Sequence, residues 1–367
     1  EGEEPMTAPA PSCETFTHEH LDPAQPGCPV RGCKARLSTA PYRGSPIPWC
    51  PRHGIRLHGK PGSRRTFVYW NGPDSDDDSL LRNFPVEREF LETHPLRELG
   101  KAESHRLGHE NAEDAVTWNV FAGLLAAGCL GRAVTALTGF SPSEAPQLWL
   151  WGRRIDLGRE FGPLYEPLAR LRERLEHDVD PFQTEPDVMI LVPKKLLVLV
   201  EAKFTSGNSL AVDKQARKGE KPKDQKGLVA KYLPAGSDPG AIVPQRIAAP
   251  FHGQLFRNVV FAQAMAHEPA MQGAEWAVVN LVSDTQWKKA RKSAPNSRKR
   301  RADPETSFED PTPAVHSWLR EDSRSRFRFS SWERLFEAVI RGTPQLRAVE
   351  SYLRGKSAHL EKAFVLT

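Results

Sequence analysis

Three charged residues border one of the most apolar stretches of the chain, TEPDVMILVPKKLLVLVEAKF (residues 184–204). Asp187 precedes the first apolar run, and Glu201 and Lys203 end the second. Side chains alternate along a strand, so Glu201 and Lys203 are expected on one face of a sheet while Ala202 points away. Because a charge is costly to bury without a partner, these residues are the first candidates for chemistry.

The two apolar runs predict a β-hairpin whose register brings the acidic residues together. With Pro193-Lys194-Lys195 as a three-residue turn, Val192 faces Leu196 and the earlier residues pair with the later ones in step. Asp187 then lies opposite Glu201, with the two Cβ atoms about 5 Å apart. A turn that is one residue longer or shorter would break this register.

Two facing carboxylates predict a metal site, because like charges repel and a divalent cation between them removes the repulsion. Ligation by oxygen atoms alone is typical of Mg²⁺ or Mn²⁺, which also bind phosphate oxygens. Lys203, on the same face, could orient a water molecule or neutralise charge that develops on a phosphate. The alternative is a structural ion pair in which Lys203 neutralises Glu201.

The ordered motifs resemble the PD-(D/E)XK nuclease superfamily, with its restriction-endonuclease-like fold, and within it the PGN_0703-like restriction endonuclease group. The motifs, which lie within residues 100–345, are EDAVTWNVF (113–121), LWLWG (148–152), TEPDVMI (184–190), EAKF (201–204) and QLFRNVVFA (254–262). The resemblance implies a Mg²⁺-dependent endonuclease that hydrolyses phosphodiester bonds, with DNA as the expected substrate, in restriction or phage defence. It also implies that Asp187 and Glu201 bind the metal with help from the Ala202 carbonyl oxygen, and that Lys203 positions or activates the attacking water.

The same resemblance implies an acidic residue on the first core helix and a glutamine on the helix that follows the ExK strand. Glu113 matches the first and Glu110 is a weaker match, although acidic residues also simply favour a helix N-terminus. Gln254 matches the second, although a long basic insertion separates it from Lys203. Arg257, one turn further on, is expected either to contact a phosphate or to be solvated.

Periodicity and end signals along the chain predict an α/β fold with a mixed sheet flanked by helices. Capping and stop residues mark several helix ends, such as Ser331 at the start and Gly342 at the end of one helix. The predicted elements are helix 111–128, strand 147–152, helix 161–178, the hairpin, helix 251–268, strand 274–284, helix 331–342 and helix 343–356.

A second group of candidate ligands lies near the N-terminus in two close pairs. Their spacing is Cys28-x4-Cys33-x16-Cys50-x2-His53. This spacing predicts a small module held by one tetrahedral, structural Zn²⁺, because so short a segment with little apolar content needs such a staple to fold. Alternatives are His58 in place of His53, a site with Cys13 and His18 or His20, or scattered reduced thiols. Cys129 is expected to be a core thiol. Four ligands would leave no open position, which disfavours a zinc hydrolase.

Two basic insertions, at residues 206–250 and 287–312, lie next to the predicted catalytic sheet in the sequence. The residues expected there to contact phosphate are Lys288, Lys289, Arg291 and Lys292. Contacts to phosphate dominate affinity for nucleic acid but carry no base specificity. The alternative is that both insertions are solvated loops.

The 367-residue chain has a net charge of +5, with 26% charged and 39% hydrophobic residues, as in ordinary globular proteins. No apolar stretch long enough for a membrane span and no secretory signal is seen, and a cytoplasmic protein is expected. The predicted division is a disordered tail (1–27), the zinc module (28–60), a connector (61–100) and a nuclease-like domain (101–367).

Nucleic acid, DNA in particular, is the expected partner, and a homodimer or defence-system partner proteins are further expectations. The alternative function is a nucleic-acid-binding or scaffolding protein that has a nuclease fold without catalysis. The complete set of Asp187, Glu201 and Lys203 argues against that alternative.

Overall fold

The computed structural model describes residues 27–28, 32–42, 45–58, 66–69, 81–94, 107–158, 160–176, 184–210, 225–234, 236, 238–248, 250–271, 273–293, 306–359 and 364–366. These residues form two compact units. The first unit combines the described residues up to Gly123 with those from Gly342 onward, and the second unit comprises the described residues of Leu124–Arg341. The predicted tail and parts of the connector and both basic insertions lie outside the described residues. The division predicted from the sequence remains a prediction. Within the described segments, no helix has the length and apolar character needed to cross a bilayer.

Helices and strands alternate along the second unit, whereas the first unit begins with strands alone. In chain order the elements are β1 (Ser38–Tyr42), β2 (Ser45–Cys50), β3 (Ile55–His58), β4 (Thr66–Tyr69), α1 (Arg88–Thr93), α2 (Glu113–Ala126), α3 (Leu130–Thr138), β5 (Gln147–Leu150), β6 (Arg153–Ile155), β7 (Phe161–Leu164), α4 (Glu166–Glu176), β8 (Val188–Val192), β9 (Leu196–Lys203), β10 (Asn208–Ser209), α5 (Gln225–Tyr232), α6 (Gly253–Ala266), β11 (Glu275–Val282), α7 (Asp284–Ser293), β12 (Thr306–Ser307), α8 (Thr312–Trp318), β13 (Phe327–Ser331), α9 (Trp332–Leu335) and α10 (Arg347–His359).

The first unit contains a four-stranded antiparallel sheet in the order β1-β2-β3-β4. Its apolar cluster is small and consists of Ile55, Leu57 and Tyr69, with the half-buried Leu37 packed against it. Among the residues that the structure describes, a cluster of this size contributes little to the stability of the sheet, and a bound metal would add to it.

The predicted first helix is confirmed as α2. Glu113 and Asp114 lie in its first turn, and the chain leaves the helix before Gly128, which has a positive φ of 64°. The helix is buried on nearly every side, including the polar Asn119. The Asn119 side chain accepts a hydrogen bond from Val86 N (3.0 Å) and donates to the Asn83 carbonyl oxygen (2.9 Å), so its burial is compensated.

A buried lysine lies in the same unit. Lys356, on α10, is 7% exposed, and its Nζ donates to Asn83 Oδ1 (2.9 Å) and to the Glu110 carbonyl oxygen. Burial lowers the pKa of Lys356 to about 7, although the negative charge of Glu110 opposes this shift. The folded protein therefore binds the Lys356 proton less tightly than the unfolded chain does.

The second unit is built around a seven-stranded sheet in the order β13-β11-β9-β8-β5-β6-β7. Strand β11 pairs parallel with β13 on one side and with β9 on the other. From β9 onward in the sheet, each of the pairs β9-β8, β8-β5, β5-β6 and β6-β7 is antiparallel. Helices α6 and α3 pack against this sheet. The predicted α/β fold with a mixed sheet flanked by helices is confirmed.

The predicted hairpin is formed by β8 and β9 in the expected register. Val192 pairs with Leu196 and Val188 pairs with Val200, so the next step outward places Asp187 opposite Glu201. Lys195 N donates to the Val192 carbonyl oxygen (3.0 Å), which closes the turn after Val192. The turn residues and the apolar pattern together determine this register.

Helix α6 confirms the helix predicted at residues 251–268, and it covers one face of the hairpin. Leu197 and Leu199 of β9 belong to the same buried cluster as Leu255 and Val259 of α6. Because side chains alternate, Glu201 and Lys203 continue the row of Leu197 and Leu199 on the face covered by α6.

Part of the second basic insertion is helical. Helix α7 begins at Asp284, directly after β11, and includes the four basic positions between 288 and 292. The described part of the first insertion also contains helix α5. Further along, the Ser331 side chain accepts a hydrogen bond from Arg334 N (3.2 Å) at the start of α9. The helix continues as a π-helix over Phe336–Ile340 and ends before Gly342, which has a φ of 65°, so both predicted helix ends are confirmed.

The buried lysine predicts a pH dependence of stability. Between about pH 7 and 10.5 the unfolded chain binds a proton at Lys356 that the folded chain does not, so the free energy of unfolding should rise with pH across this window. Lys356→Met should reduce that rise by up to about 1.4 kcal/mol per pH unit. Chemical denaturation at several pH values measures the slope, with the exposed Arg347→Met as control. Equal slopes in wild type and Lys356→Met would contradict the shifted pKa.

Candidate active site and metal cluster

Glu201 and Lys203 form a buried ion pair at the end of β9. Lys203 Nζ lies 2.6 Å from Glu201 Oε1, and the two side chains are 9% and 2% exposed. The two residues lie on one face of the strand, as predicted from their spacing. A buried carboxylate without a partner is costly, and Lys203 provides Glu201 with a cationic partner at this depth.

Asn258 of α6 provides the second partner of the buried carboxylate. Its Nδ2 donates to Glu201 Oε2 (2.9 Å), so both carboxylate oxygens are engaged. Asn258 is 2% exposed and lies in a helix that is otherwise apolar on this side. Sequence reasoning missed it and selected Gln254, one turn earlier. The available signal was a single asparagine within the apolar run LFRNVVFA.

Asp187 is half-buried at the other side of the hairpin end. Its Oδ2 accepts a hydrogen bond from Ala202 N (2.8 Å), and its carbonyl oxygen accepts one from Trp151 N (3.2 Å). The carboxylate is therefore held against the main chain beside Glu201. The two carboxylates offer oxygen atoms, the type of ligand that Mg²⁺ and Mn²⁺ prefer.

Neighbouring strands fix the main chain around the ion pair. Asn280 of β11 lies beside Glu201 in the parallel register, and its Nδ2 donates to the Glu201 carbonyl oxygen (3.3 Å). Asn208 of β10 donates in turn to Asn280 Oδ1 (2.9 Å). Trp332 Nε1 donates to the Lys203 carbonyl oxygen (3.2 Å). Sequence reasoning missed Asn280 and Trp332 because they lie far from the hairpin in the chain, and it missed Asn208 because its partner is the distant Asn280.

The other predicted residues of the second unit lie on helices near this sheet. Gln254 is in the first turn of α6, where its Oε1 accepts a hydrogen bond from Ser209 Oγ (3.2 Å). Arg257 lies one turn further on. Burial raises the pKa of Tyr232, and the positive charge of Arg257 opposes that rise. The Tyr232 hydroxyl donates to Glu176 Oε1 (2.5 Å). These contacts place Gln254 beside β10 and Arg257 toward α5.

The basic positions at 288–292 lie on helix α7. Lys288 is exposed, and its Nζ lies 3.8 Å from Asp284 Oδ2. Lys289, Arg291 and Lys292 belong to the same helix. An exposed pair at this distance contributes little stability, so Lys288 is available to an anion at small cost.

Glu113 and Glu110 belong to the first unit. Glu113 is the first residue of α2, is half-buried, and accepts a hydrogen bond at its carbonyl oxygen from Thr117 Oγ1 (2.9 Å). Glu110 is 1% exposed and accepts from Lys356 at its carbonyl oxygen. The participation of Glu113 in the active site stays a prediction.

The predicted metal ligands near the N-terminus come together as a cluster. One ligand atom from each of Cys28, Cys33, Cys50 and His53 lies within 4.8 Å of all the others. Cys28 Sγ lies 3.3 Å and Cys50 Sγ 3.6 Å from His53 Nδ1, and the Sγ atoms of Cys33 and Cys50 are 3.9 Å apart. Three cysteines and a histidine at this spacing could hold a metal ion such as zinc.

A tight turn presents two of these ligands. Cys50 ends β2, and Gly54 N donates to its carbonyl oxygen (2.9 Å), which folds His53 back toward the cysteine. Gly54 has a positive φ of 56°, a conformation that glycine adopts without strain. Arg82 donates to the His53 carbonyl oxygen and holds the turn from outside. This geometry favours His53 over His58 as the fourth ligand.

The environment of the cluster favours thiolate. Hydrogen bonding from the Cys28 thiol, with further bonds involving His53, lowers the pKa of Cys50 to about 4, although burial opposes the shift. A thiolate is the form of cysteine that binds metal. The three cysteines are also not joined by disulfides.

We expect purified protein to contain about one zinc per chain, as a structural site with four ligands requires. Cys50→Ser should lower that content and make residues 28–60 more sensitive to protease, because the small sheet has few other contacts. Cys129→Ser, at a buried thiol outside the cluster, is the matched control and should change neither. Elemental analysis and limited proteolysis measure both quantities. Unchanged zinc in Cys50→Ser would contradict the site.

Comparisons of the chain with protein-family models, with curated proteins and with solved structures found no match. The chemistry proposed for this chain therefore depends on its own residues and their geometry.

Proposed function

We propose that the protein is a metal-dependent nuclease that hydrolyses phosphodiester bonds, with DNA as the first substrate to test. The observation that carries the proposal is the convergence of Asp187, Glu201 and Lys203 at the end of one hairpin. Three ionisable groups at one sheet end, two of them buried, are costly for a purely structural purpose and are typical of catalytic sites. A role in restriction or phage defence, and a homodimer, are parts of the proposal that only the resemblance implies.

The topology is a second support for the proposal. Helix α2, antiparallel strands β5, β8 and β9, helix α6 and parallel strand β11 follow each other in the chain. This order agrees with what the resemblance to the restriction-endonuclease-like fold implies. We infer that fold for the second unit.

The donor set fits a hard divalent cation. Asp187 and Glu201 would hold Mg²⁺ or Mn²⁺ with help from the Ala202 carbonyl oxygen, and such an ion lowers the pKa of bound water and neutralises phosphate charge. Hydrogen bonding of Asp187 to Ala202 N orients its carboxylate. Asn258 orients Glu201 from the opposite side.

Lys203 would act on the attacking water and on the phosphate. Its ammonium group, paired with Glu201, can donate a hydrogen bond to a non-bridging phosphate oxygen whose charge grows in the transition state. Attack forms a bond from the water oxygen to phosphorus and breaks one ester P–O bond. The proton of the water passes to a base or solvent, and the leaving oxygen gains one.

The test is cleavage of plasmid, linear and single-stranded DNA and of RNA with Mg²⁺ or EDTA. Lys203→Ala should lower the cleavage rate on the order of 100-fold, since it removes an electrostatic group from the site. Asp187→Asn keeps an acceptor for Ala202 N, so the fold should survive while the rise in Tm on adding Mg²⁺ is lost. Lys195→Ala, at the exposed turn of the same hairpin, is the matched control. Cleavage as fast as wild type in Asp187→Asn, Glu201→Gln and Lys203→Ala would overturn the proposal.

The burial of Glu201 favours a second candidate function. Both of its oxygens have partners and the side chain is 2% exposed, as in a structural ion pair. The protein would then bind nucleic acid, or scaffold a complex, without catalysis. Binding of nucleic acid with no Mg²⁺-dependent cleavage, and a Tm insensitive to Mg²⁺, would identify this function.

A further inference from the structure

A basic cleft of about 450 Å³ lies beside β13, the edge strand of the seven-stranded sheet. Four cationic side chains line it: Lys288, Arg324, Arg328 and Arg334. Asp284 and Asp310 also line the cleft, but each has a local partner. Asp284 lies near Lys288, and Asp310 Oδ1 accepts from Thr312 N (2.8 Å) at the start of α8. The cations therefore dominate this surface.

The cations of this cleft are poorly neutralised. Arg328 and Arg334 are exposed, and among the described residues neither forms an ion pair with a carboxylate. Arg324 Nε donates only to the carbonyl oxygen of His316 (3.1 Å). Also lining the cleft, His316 Nε2 is buried and has no hydrogen-bond partner in the described part of the chain. A ligand that brings anionic oxygens would satisfy these groups.

One end of the cleft, lined by Arg334 and Lys288, lies at the same end of the sheet as the candidate active site. From there the cleft runs back along β13 to Arg328, which is level with Val279 of β11. Lys203 is level with Val282 of β11, which is level with Ser331 of β13, and Arg334 follows Ser331 by three residues. Neighbouring strands are about 4.8 Å apart, so β9 and β13 are separated by about 10 Å. That distance corresponds to roughly three nucleotides of one DNA strand at about 3.4 Å per nucleotide.

Direct contacts hold the cleft rigidly to that end. Trp332 donates to the Lys203 carbonyl oxygen (3.2 Å), which ties the start of α9 to the ion pair. The Glu333 carboxylate accepts from Asp284 N (3.0 Å) and Thr285 N (3.1 Å), which ties α9 to the start of α7. Arg334 on α9 and Lys288 on α7 are thereby fixed relative to Lys203.

We propose that this cleft binds backbone phosphates of the nucleic-acid strand that is cleaved at Asp187, Glu201 and Lys203, so the inference rests on the proposed function. Arginine presents a planar fork of donors that matches phosphate oxygens, and three of the four cations are arginines. The cationic side chains of the cleft would contact phosphates and not the edges of bases. Such contacts position a nucleic-acid strand but do not select its sequence.

The experiment measures binding of fluorescein-labelled double-stranded DNA by anisotropy at several salt concentrations. It is done in EDTA with the Lys203→Ala protein, so that no substrate is cut. Adding Arg328→Ala and Arg334→Ala should weaken binding on the order of tenfold and lower the log–log salt slope by about one unit per lost contact. Arg174→Ala with Lys195→Ala removes the same charge at exposed positions away from the cleft, and should leave the slope unchanged.

Equal slopes in the cleft variant and in its parent, or an equal loss in the control pair, would overturn the proposal. Attachment to phosphatidylserine vesicles in place of DNA, dependent on the same arginines, would also overturn it. Melting temperature checks the fold of the double variant. If that variant unfolds, Arg328→Gln alone, at an exposed strand position, should still lower the slope by about one unit.

The failure of this inference and the failure of the proposed function have different signatures. Cleavage that depends on Glu201, with binding insensitive to Arg328 and Arg334, would remove the cleft and leave the nuclease. Binding that depends on these arginines, without any Mg²⁺-dependent cleavage, would leave the cleft and remove the nuclease.

Discussion

The carboxylate of Glu201 lies buried beneath helix α6, and the surrounding residues are arranged to provide it with partners. Lys203 neutralises it from the same strand, and Asn258 donates to it from the helix above. Losing either partner would leave a buried acceptor unsatisfied, which costs more than the net value of the bond itself. The constraint explains why an asparagine interrupts the apolar face of α6, and why an amine occupies the last position of β9.

A charge held in this way is suited to chemistry, because its surroundings are already ordered before a substrate arrives. Asn280 and Trp332 hold the main chain of Glu201 and Lys203, so the ends of three parallel strands are tied together. Groups that are held in place need little reorganisation when charge develops on a reacting phosphate. The hydrogen bonds of Trp332 and Glu333 also hold α9 and α7 at the sheet edge where the basic cleft lies. These contacts connect the proposed chemistry to the positioning of the substrate.

The cysteine cluster of the first unit answers a different physical need. Within the described residues its four-stranded sheet has a small apolar cluster, and burial of that size contributes little to its stability. A bound metal would supply folding free energy, because the ligands are brought together only in the folded state. The short-range turn at Gly54 presents His53 to the cysteines, and a hydrogen bond from Arg82, 29 residues further along the chain, holds that turn.

Local features of the sequence were sufficient to predict much of this protein. The three-residue turn and the apolar runs determined the hairpin register, since a slip of one residue would turn every side chain to the wrong face. Ser331, Gly342 and the acidic first turn of α2 marked helix ends because capping involves neighbours in the chain. The spacing of the cysteines and His53 likewise predicted their cluster, because each ligand pair closes a short loop.

Only the tertiary structure decided which distant residues complete the sites. Asn258 and Asn280 meet Glu201 across separations of more than fifty residues, and nothing in their immediate neighbours marks them as partners of a carboxylate. Arg324, Arg328 and Arg334 appear in the sequence as scattered surface residues, and they become one cleft because β13 pairs with β11 at the sheet edge. Strand order and helix placement arise from the burial of the whole apolar set, a collective property that no short segment encodes by itself.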